Sequence, residues 1–230
     1  MSKAKSYLSK YYGQAGGYLK DHASFLNSAS VENDLSFLVK ALSLKKTDTI
    51  LDIACGQGRH TNALSDKGYQ VDGIDFSRYL LNRAKMDAKK IAGNDSNFYQ
   101  VNVENFKLKK KYDKAYWFFS DLANINIAKA ILAISDNLMV GGRVLFDTDN
   151  IFRILSYLQK NRQFKYTFDA QKLELIEKKT SLRVPYPVLS VWKEWFSAVG
   201  FSVERVIGNY DFSQYSISSP RLIMIVKKTA

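Results

Sequence analysis

The sequence predicts an α/β fold in which helices cover a mostly parallel sheet, and three observations lead to that prediction. Residues 49–75 read as a strand, a glycine-rich turn, a helix and a second strand. Strand-like apolar runs then alternate with amphipathic helical segments as far as residue 146. Two final strand-like runs, residues 201–207 and 221–227, predict a reversed hairpin. The 230 residues therefore suit one domain, with room for an insert.

The first strand-turn-helix-strand unit has the features of a nucleoside-binding site. Gly56 and Gly58 let the backbone turn tightly and let a ligand approach without a Cβ in the way. The helix predicted from Arg59 offers backbone N–H groups to an anionic group. The second strand ends at Asp75, 17 residues after Gly58. A carboxylate at that position can accept two hydrogen bonds from a ribose diol.

A particular family is indicated by the residues around this turn. The dinucleotide pattern G-x-G-x-x-G is not met, because Thr61 stands at its last position, and this disfavours NAD. The stretch D-x-x-C-G-x-G-R-x-T, from Asp52 to Thr61, resembles motif I of the class I S-adenosylmethionine-dependent methyltransferases. The resemblance extends to DTDN at 147–150, SLR at 181–183, AVGF at 198–201 and SPRLIMIVKK at 219–228, so it covers nearly the whole chain.

The resemblance implies a fold and a chemistry. The fold is a Rossmann-like sheet of seven strands in the order 3-2-1-4-5-7-6, with the last strand antiparallel, helices on both faces and a small antiparallel β insert. The expected cofactor is S-adenosyl-L-methionine, and the expected reaction transfers its methyl group to an oxygen, nitrogen or carbon of a small molecule. The sulfonium carries its own leaving group, so the protein needs chiefly to exclude water and orient the acceptor, and no catalytic triad is expected.

The same resemblance implies a set of cofactor-binding residues. Asn102 stands where the family usually has an acidic residue for the adenine amino group; its amide oxygen could accept that bond, or Glu104 could take the role. Cys55 is expected to pack against the cofactor as a small apolar group. The full set is Asp52, Ala54, Cys55, Gly56, Gly58, Arg59, Asp75, Phe76, Asn102, Val103, Phe118, Phe119 and Ser120, with Tyr12 and Tyr18 from the N-terminus.

The N-terminal cap, residues 1–29, is rich in tyrosine around a glycine-containing centre at 13–17. In the family such a segment often folds over the methionine end of the cofactor; the alternative is a surface helix whose tyrosines merely pack. Ser30 is predicted to cap the helix that follows. Further helices are predicted at residues 78–91, 125–139 and 188–199, the second of them stopped by Gly141 and Gly142, and further strands at residues 69–74, 98–103, 112–119 and 143–146.

The insert, residues 152–183, does not belong to the minimal fold. A helix leads into two alternating stretches, residues 164–169 and 173–177, which predict an antiparallel pair. The insert is either a stabilising appendage or a lid that selects the acceptor.

Candidates for a general base are few. His60, Tyr12, Asp147 and Tyr11 could each lie in the cleft, and His60 is interpreted as a helix-surface residue near the cofactor. Asp147, Asp149 and Asn150, with Asp121, could hold Mg²⁺ for a catechol-like diol. Their spacing differs by one residue from the spacing in the metal-dependent catechol enzymes. Asp and Asn after a strand are also ordinary turn and capping residues, so no metal is predicted.

Composition sets wider limits on function. Hydrophobic residues are 46% and charged residues 24%, which excludes a disordered chain and a membrane-spanning one. The N-terminus lacks a signal-peptide core and the chain has one cysteine, so a reducing cytoplasmic location is expected. The net charge of +12 permits a nucleic-acid partner, but its lysines are spread along the chain, as on solvated faces.

Two alternatives to a small-molecule methyltransferase remain open: an RNA methyltransferase, and a catalytically silent module that binds S-adenosylmethionine. No N-P-P-Y or D-P-P-Y follows the fourth strand, and no second cysteine is present. These absences argue against exocyclic-amine methylation of DNA bases and against cysteine-dependent attack on cytosine. The sequence predicts no oligomeric state.

Overall fold

A seven-stranded sheet forms the centre of the protein in the computed structural model, which describes residues 3–23, 28–120, 122–161 and 165–230. The strand order is β3-β2-β1-β4-β5-β10-β9, in which β10 alone runs antiparallel to its neighbours. The predicted order and reversed hairpin are therefore confirmed. The strands are β1 (Thr49–Ile53), β2 (Gln70–Asp75), β3 (Phe98–Gln100), β4 (Tyr112–Trp117), β5 (Leu138–Asp149), β9 (Phe201–Ile207) and β10 (Arg221–Lys228).

The insert contributes a second, three-stranded antiparallel sheet. Its strands are β6 (Tyr166–Asp169), β7 (Glu174–Glu177) and β8 (Arg183–Pro185). The sequence predicted the first two strands and missed the third, because a three-residue strand that contains proline gives almost no periodic signal. Phe164, the predicted start of the pair, lies outside the described residues.

Helices lie on both faces of the central sheet, and polar residues begin several of them. Ser77, Asn126 and Asn150 each accept a hydrogen bond from a backbone N–H in the first turn of the helix that they cap. The helices are α1 (Lys3–Tyr11), α2 (Tyr18–Asp21), α3 (Ser28–Leu42), α4 (Arg59–Asp66), α5 (Arg78–Ala88), α6 (Ile127–Asp136), α7 (Ile151–Lys160) and α8 (Leu189–Ala198).

The core follows from the two-residue period of the buried strands. Trp117 and Phe146 face α6 and α8, where they join Trp192 and Phe196 in one hydrophobic cluster. Their neighbours Tyr116 and Leu145 point to the opposite face and pack beside α3 and α4. Because both faces are covered, the strands read as nearly continuous apolar runs.

Several predicted boundaries are wrong for identifiable reasons. The third strand ends at Gln100, so Asn102 lies in the turn that follows. The helix predicted to stop at Gly141 ends at Asp136, and β5 begins at Leu138. Gly141, with φ +85°, lies within that long strand instead of capping a helix.

Further boundaries at helix ends also differ from prediction. Ser30 lies inside α3, which begins at Ser28, so it does not cap this helix. The predicted helix 78–91 ends at Ala88, and the predicted helix 188–199 spans Leu189–Ala198. Such errors of a few residues at helix ends reflect fraying and weak capping signals.

The cap and the insert meet outside the central sheet. Ala4 and Leu8 of α1 pack against Leu182 at the end of the insert and Val184 in β8, with Ala123 beside them. This contact joins the two segments that the minimal fold lacks. No helix in the described part of the chain is long and apolar enough to cross a membrane.

Candidate functional site

The carboxyl ends of β1, β2, β4 and β5 lie along one edge of the sheet, here called the carboxyl edge, where ligands bind in open α/β folds. β1 runs into a turn that holds Ala54 at φ +56°, Gly56 at φ +56° and Gly58 at φ +73°. A Cβ on Gly58 would stand 2.8 Å from the Ala84 Cβ and 3.0 Å from Phe98, so close packing as well as backbone conformation requires glycine there. At Gly56, which is buried, the nearest atoms would be 3.8 Å from a Cβ, so its positive φ and not close packing favours glycine there.

Asp75 holds this turn against the end of β2. Its Oδ2 accepts a hydrogen bond from the Gly56 N–H at 2.9 Å, and its Oδ1 accepts one from the Ser77 N–H at 2.7 Å. Burial raises the pKa of the Asp75 carboxyl to about 6, against the lowering effect of those backbone N–H groups. The Phe76 N–H also lowers this pKa, and at neutral pH the ionised carboxylate keeps acceptor capacity for a further donor.

Asp52 lies deeper beneath the same turn. Its Oδ2 accepts a hydrogen bond from the Thr61 hydroxyl at 2.7 Å, and its side chain is buried. Burial raises the pKa of Asp52 to about 7, which the Thr61 hydrogen bond and the Arg59 charge partly oppose. This contact ties β1 to α4, so Asp52 supports the turn from below.

At the other half of the edge, Asp147 gathers three donors from three separate segments. Its Oδ2 accepts from the Phe119 N–H at 2.9 Å and from the Tyr210 hydroxyl at 3.0 Å. Its Oδ1 accepts from Arg221 Nε at 2.8 Å. The side chain is fully buried, and burial raises the pKa of this carboxyl while the Arg221 charge lowers it. We call Phe119, Asp147, Tyr210 and Arg221 the Asp147 network.

Phe119 is the exposed member of this network. It has φ +52°, an uncommon backbone conformation for a phenylalanine, and it lies directly after β4. Two guanidinium carbons lie over its ring, that of Arg59 at 5.1 Å and that of Arg221 at 5.7 Å from the ring centroid. Tyr210 packs edge-on at 5.7 Å. The geometry places an aromatic surface flanked by two guanidinium groups at the end of β4.

His60 occupies a buried position between these two halves, contrary to its interpretation as a helix-surface residue. Its Nε2 lies 3.0 Å from Asp34 Oδ2, an oxygen that also pairs with Arg59 at 3.3 Å. Only 6% of His60 is exposed, and its ring packs edge-on against Phe118. Burial lowers the pKa of His60 more than the Asp34 hydrogen bond raises it, so the imidazole is neutral at pH 7.

Comparison with known proteins agrees with this geometry. A family model described as a methyltransferase domain matches residues 50–142, which include the glycine turn, Asp75 and Phe119. A provisionally named methyltransferase of Geobacillus sp. (strain WCH70) is 22% identical over 88% of this chain and 95% of its own length. Residues 50–142 form a methyltransferase domain of the class I S-adenosylmethionine-dependent type.

Two further proteins are similar to this methyltransferase in different ways. The magnesium protoporphyrin IX methyltransferase of Synechocystis PCC 6803, solved with bound S-adenosylhomocysteine, has a TM-score of 0.66 at 16% identity, covering 98% of this chain and 99% of its own. The 23S rRNA (uracil(1939)-C(5))-methyltransferase RlmD of Aliivibrio fischeri is 34% identical over 34% of this chain, which is 17% of its own length. The methyl donor is S-adenosylmethionine, so the enzyme belongs to class EC 2.1.1.-.

The structure brings most of the predicted cofactor residues of this methyltransferase to the glycine-turn half. Phe76 follows Asp75 and is 46% exposed, and the ring of Tyr12 packs edge-on against it at 5.3 Å. The Ser77 hydroxyl donates to the Tyr12 carbonyl at 2.7 Å, so the cap is attached where β2 ends. The Tyr18 hydroxyl lies 3.8 Å from where a Cβ on Gly56 would stand.

Four other residues predicted for the cofactor site, Cys55, Asn102, Val103 and Glu104, already make contacts within the protein. Cys55 packs with Leu81, Ala84, Ala88 and Phe98 in the core beneath α5, and burial raises the pKa of its thiol, which keeps it protonated. Asn102 accepts a hydrogen bond from the Glu104 N–H at 3.0 Å within its own turn, and Val103 is half-buried beside it. The Glu104 carboxylate accepts from the Asn126 N–H at 2.8 Å, which occupies one of its oxygens.

On the other half of the edge, Phe118 is buried against His60 and Tyr210, whereas Ser120 is partly exposed. The Ser120 hydroxyl donates to the Trp117 carbonyl at 2.9 Å and its N–H to the Asp147 carbonyl at 3.0 Å. Asp121, one of the residues considered for a metal, lies outside the described residues. Asp147 and Asp149 both bind Arg221, so the guanidinium already supplies the positive charge that a metal would bring.

Sequence reasoning missed two residues of the edge, Asp34 and Arg221; it predicted Tyr210 in a loop at one end of the cleft but gave it no partner. Asp34 lies in α3, Tyr210 in the loop after β9 and Arg221 at the start of β10. No local motif joins them. The one feature that could have predicted the Arg221 contact is the antiparallel pairing of the last strand with β5. That pairing places Arg221 opposite Asp149.

Proposed function

We propose that this enzyme transfers the methyl group of S-adenosylmethionine to a small-molecule acceptor that binds against Phe119. The observation that carries the proposal is the contact between the cap and the insert. Ala4 and Leu8 pack against Leu182 and Val184, so the cap, attached where β2 ends, and the insert, attached beyond β4, would together cover part of the carboxyl edge. Such a partly covered edge suits a small acceptor better than a folded nucleic acid.

The residues present fit the cofactor. The Asp75 carboxylate has acceptor capacity left for the two ribose hydroxyls, and Gly56 leaves room for backbone contact. The Gln57 side-chain oxygen is buried and has no hydrogen-bond partner among the described residues, so it can accept from a ligand N–H or O–H. Phe76 and Tyr12 form an apolar wall suited to the adenine ring. Bound S-adenosylmethionine supplies an electrophilic methyl group on a sulfonium.

The Asp147 network positions the acceptor wall and does not act as a base. Asp147 is fully buried, and its two oxygens accept from three donors. Its carboxylate fixes the backbone of Phe119, so the ring faces the cleft in a strained conformation. His60, neutral and hydrogen-bonded to Asp34, is the better candidate to take a proton from the acceptor. Tyr12 and Tyr11 stack with other tyrosines of the cap, which suits a covering role.

The insert is proposed as the lid over the acceptor. β8 is fastened to the loop after β4, because the Asn124 N–H donates to the Arg183 carbonyl at 2.7 Å and the Arg183 N–H donates to the Asn124 side chain at 3.3 Å. The insert therefore lies on the acceptor side of the edge, and its contact with α1 couples it to the cap. The substrate in the name of the Synechocystis relative is a small molecule, which supports the same acceptor class.

The test uses two measurements on the full chain. S-adenosylhomocysteine should raise the melting temperature because it binds the folded state, and NAD should not. Methyl-labelled S-adenosylmethionine should then label the low-molecular-mass fraction of a cell extract. A melt that responds to NAD and not to S-adenosylhomocysteine would contradict the cofactor assignment.

An RNA acceptor is the second candidate, and two observations favour it. The net charge is +12, and the rRNA methyltransferase RlmD matches about a third of the chain. Label in total RNA, with none in the low-molecular-mass fraction, would replace the small-molecule proposal with this one. Salt-sensitive RNA binding alone would not, because any cationic protein shows it.

A further inference from the structure

The positive charge of this protein is concentrated in the two segments outside the minimal fold. The cap, residues 1–29, has four lysines and one aspartate. The insert, residues 152–183, has eight lysines and arginines against three acidic residues. Together they carry a net +8 of the total +12, although they hold 61 of the 230 residues. The remaining 169 residues carry only +4, so solvated lysines spread evenly over the surface do not describe this chain.

These basic side chains are exposed wherever the structure describes them. In the cap they are Lys3, Lys5, Lys10 and Lys20, and in the insert they are Arg153, Lys160, Lys165, Lys172, Lys178, Lys179 and Arg183. Both helices that begin these segments lack acidic residues, since α1 reads KAKSYLSKY and α7 reads IFRILSYLQK. In the insert, Arg183 pairs with Glu174, and Glu177 lies near Lys165 and Lys179. The excess of basic over acidic residues in both segments still gives each of them a net positive potential.

The fold attaches both segments to the carboxyl edge. The cap is bound where β2 ends, through the hydrogen bond from Ser77 to the Tyr12 carbonyl. The insert is bound just beyond the end of β4, through the paired hydrogen bonds of Asn124 and Arg183. The two segments then meet at the cluster of Ala4, Leu8, Leu182 and Val184. We call the exposed lysines and arginines of these two joined segments the basic collar.

The interior of the cleft adds little charge to this collar. Arg59 pairs with Asp34, while Arg221 pairs with both Asp147 and Asp149. The two guanidinium groups beside Phe119 therefore face three carboxylates, and the ionised Asp75 adds a fourth at the same edge, so the interior of the cleft supplies no net positive charge. Any attraction between the cleft and a charged acceptor must come from the collar.

We propose that the methyl acceptor is a small anion, bearing a carboxylate or a phosphate, and that the basic collar draws it to the cleft. This inference rests on the proposed function, because it names the charge class of the same acceptor. A rim of one charge sign raises the local concentration of an oppositely charged substrate and its rate of association by about 10- to 1,000-fold at low ionic strength. The Debye length falls from about 10 Å at 0.1 M salt to about 3 Å at 1 M salt, so the attraction is screened by salt.

The first test separates the acceptor by charge. A low-molecular-mass cell extract is divided by ion exchange at pH 7 into anionic, neutral and cationic pools, and each is incubated with the full-length enzyme and methyl-labelled S-adenosylmethionine. Label should appear in the anionic pool. Phosphatase treatment of that pool before the assay abolishes labelling of a phosphate acceptor and leaves a carboxylate acceptor unchanged. Label confined to the neutral or cationic pool overturns the anionic acceptor, whereas label in RNA alone overturns the proposed function itself.

The second test changes the collar. In one variant Lys3, Lys10, Lys178 and Lys179 are all replaced by Gln; the matched control carries the same replacement at Lys89, Lys107, Lys109 and Lys193, which are exposed on other parts of the molecule. At low ionic strength and limiting anionic pool, the collar variant should transfer methyl at least fivefold more slowly than the control. At 0.5 M salt the two rates should converge, and S-adenosylhomocysteine affinity should match in both. Equal rates at low salt, in variants that melt alike, overturn the collar's role.

Discussion

The two halves of the carboxyl edge are built in different ways. The glycine-turn half consists of consecutive elements, β1, α4 and β2, and its key carboxylate at Asp75 accepts from the backbone of Gly56 and Ser77 within 19 residues of chain. The Asp147 network joins Phe119, Asp147, Tyr210 and Arg221, which come from four segments spread over more than 100 residues. One half is local and built on backbone donors; the other is long-range and built on side chains.

This difference suggests a division of labour. A site built on backbone N–H groups and glycines binds the ligand that all members of a family share, because side-chain substitutions elsewhere hardly alter it. A site built from side chains on separate segments can be altered by single substitutions. Such a site can therefore adapt to different acceptors. Perturbing the Asp147 network should therefore affect folding and methyl transfer, whereas perturbing Asp75 should affect cofactor binding.

The largest expected effect comes from Arg221→Met. The substitution leaves the fully buried Asp147 carboxylate without its charged partner, and breaking a buried ion pair in this way costs about 3–5 kcal/mol. Urea unfolding measures the loss. Arg143→Met is the matched control, because Arg143 lies at the far end of the same strand pair and its exposed bond to Glu204 contributes only about 0–1 kcal/mol. Equal losses in both variants would mean that the Asp147 network does not organise its half.

Asp75→Asn should weaken cofactor binding next most strongly. Removal of the charge and of one acceptor oxygen costs about 1.5–3 kcal/mol per hydrogen bond to the ribose, or roughly 10- to 150-fold in the S-adenosylhomocysteine dissociation constant measured by calorimetry. Some stability is lost too, because the Gly56 and Ser77 N–H groups depend on the same carboxylate.

Asp72→Asn provides the control for that measurement. Asp72 is buried on the same strand but binds Tyr112, Asn97 and Lys110, away from the glycine turn. We expect this variant to lose stability and to keep its affinity within twofold of the parent protein. If both variants bind alike, Asp75 has no direct contact with the cofactor.

The local half was largely predictable from sequence because its residues are neighbours along the chain. Gly56, Gly58 and Asp75 follow one another at fixed spacings, and a single motif identified them. Asp147 was also noted from sequence, as a candidate base, but nothing local shows that Arg221 binds it. The strained backbone of Phe119 gave no signal at all, because phenylalanine after a strand ordinarily adopts a negative φ.

The pH dependence of stability tests Asp52, beneath the glycine turn. Its folded-state pKa is raised to about 7 by burial, above the value of about 3.9 for an unfolded aspartate. The fold therefore favours the protonated form, so this contribution to stability is fully present below about pH 4 and is lost as pH rises towards about 7. The slope has an upper limit of about 1.4 kcal/mol per pH unit. The free energy of unfolding, measured with urea from pH 5 to 8, should fall more steeply with pH for the parent than for Asp52→Asn. Parallel curves would contradict the raised pKa of Asp52.

The smallest effect is expected from the cap. Tyr12→Leu removes the edge-on contact with Phe76, and aromatic pairs of this kind contribute about 0.5–1.5 kcal/mol. S-adenosylhomocysteine affinity should fall about two- to tenfold in calorimetric titration. Tyr7→Leu, in α1 and separated from Tyr12 by the ring of Tyr11, serves as the control. If the Tyr12 variant binds as tightly as the Tyr7 variant, the cap does not cover the cofactor.

The division between the halves is tested most directly by a crystal structure of the enzyme with S-adenosylhomocysteine. We expect both ribose hydroxyls within hydrogen-bond distance of the Asp75 carboxylate, the adenine beside Phe76, and the sulfur turned towards Phe119. The Asp147 network should keep its hydrogen bonds unchanged, because the cofactor does not use it. A ribose bound elsewhere, or a homocysteine carboxylate bound to Arg221, would show that the two halves do not divide the work in this way.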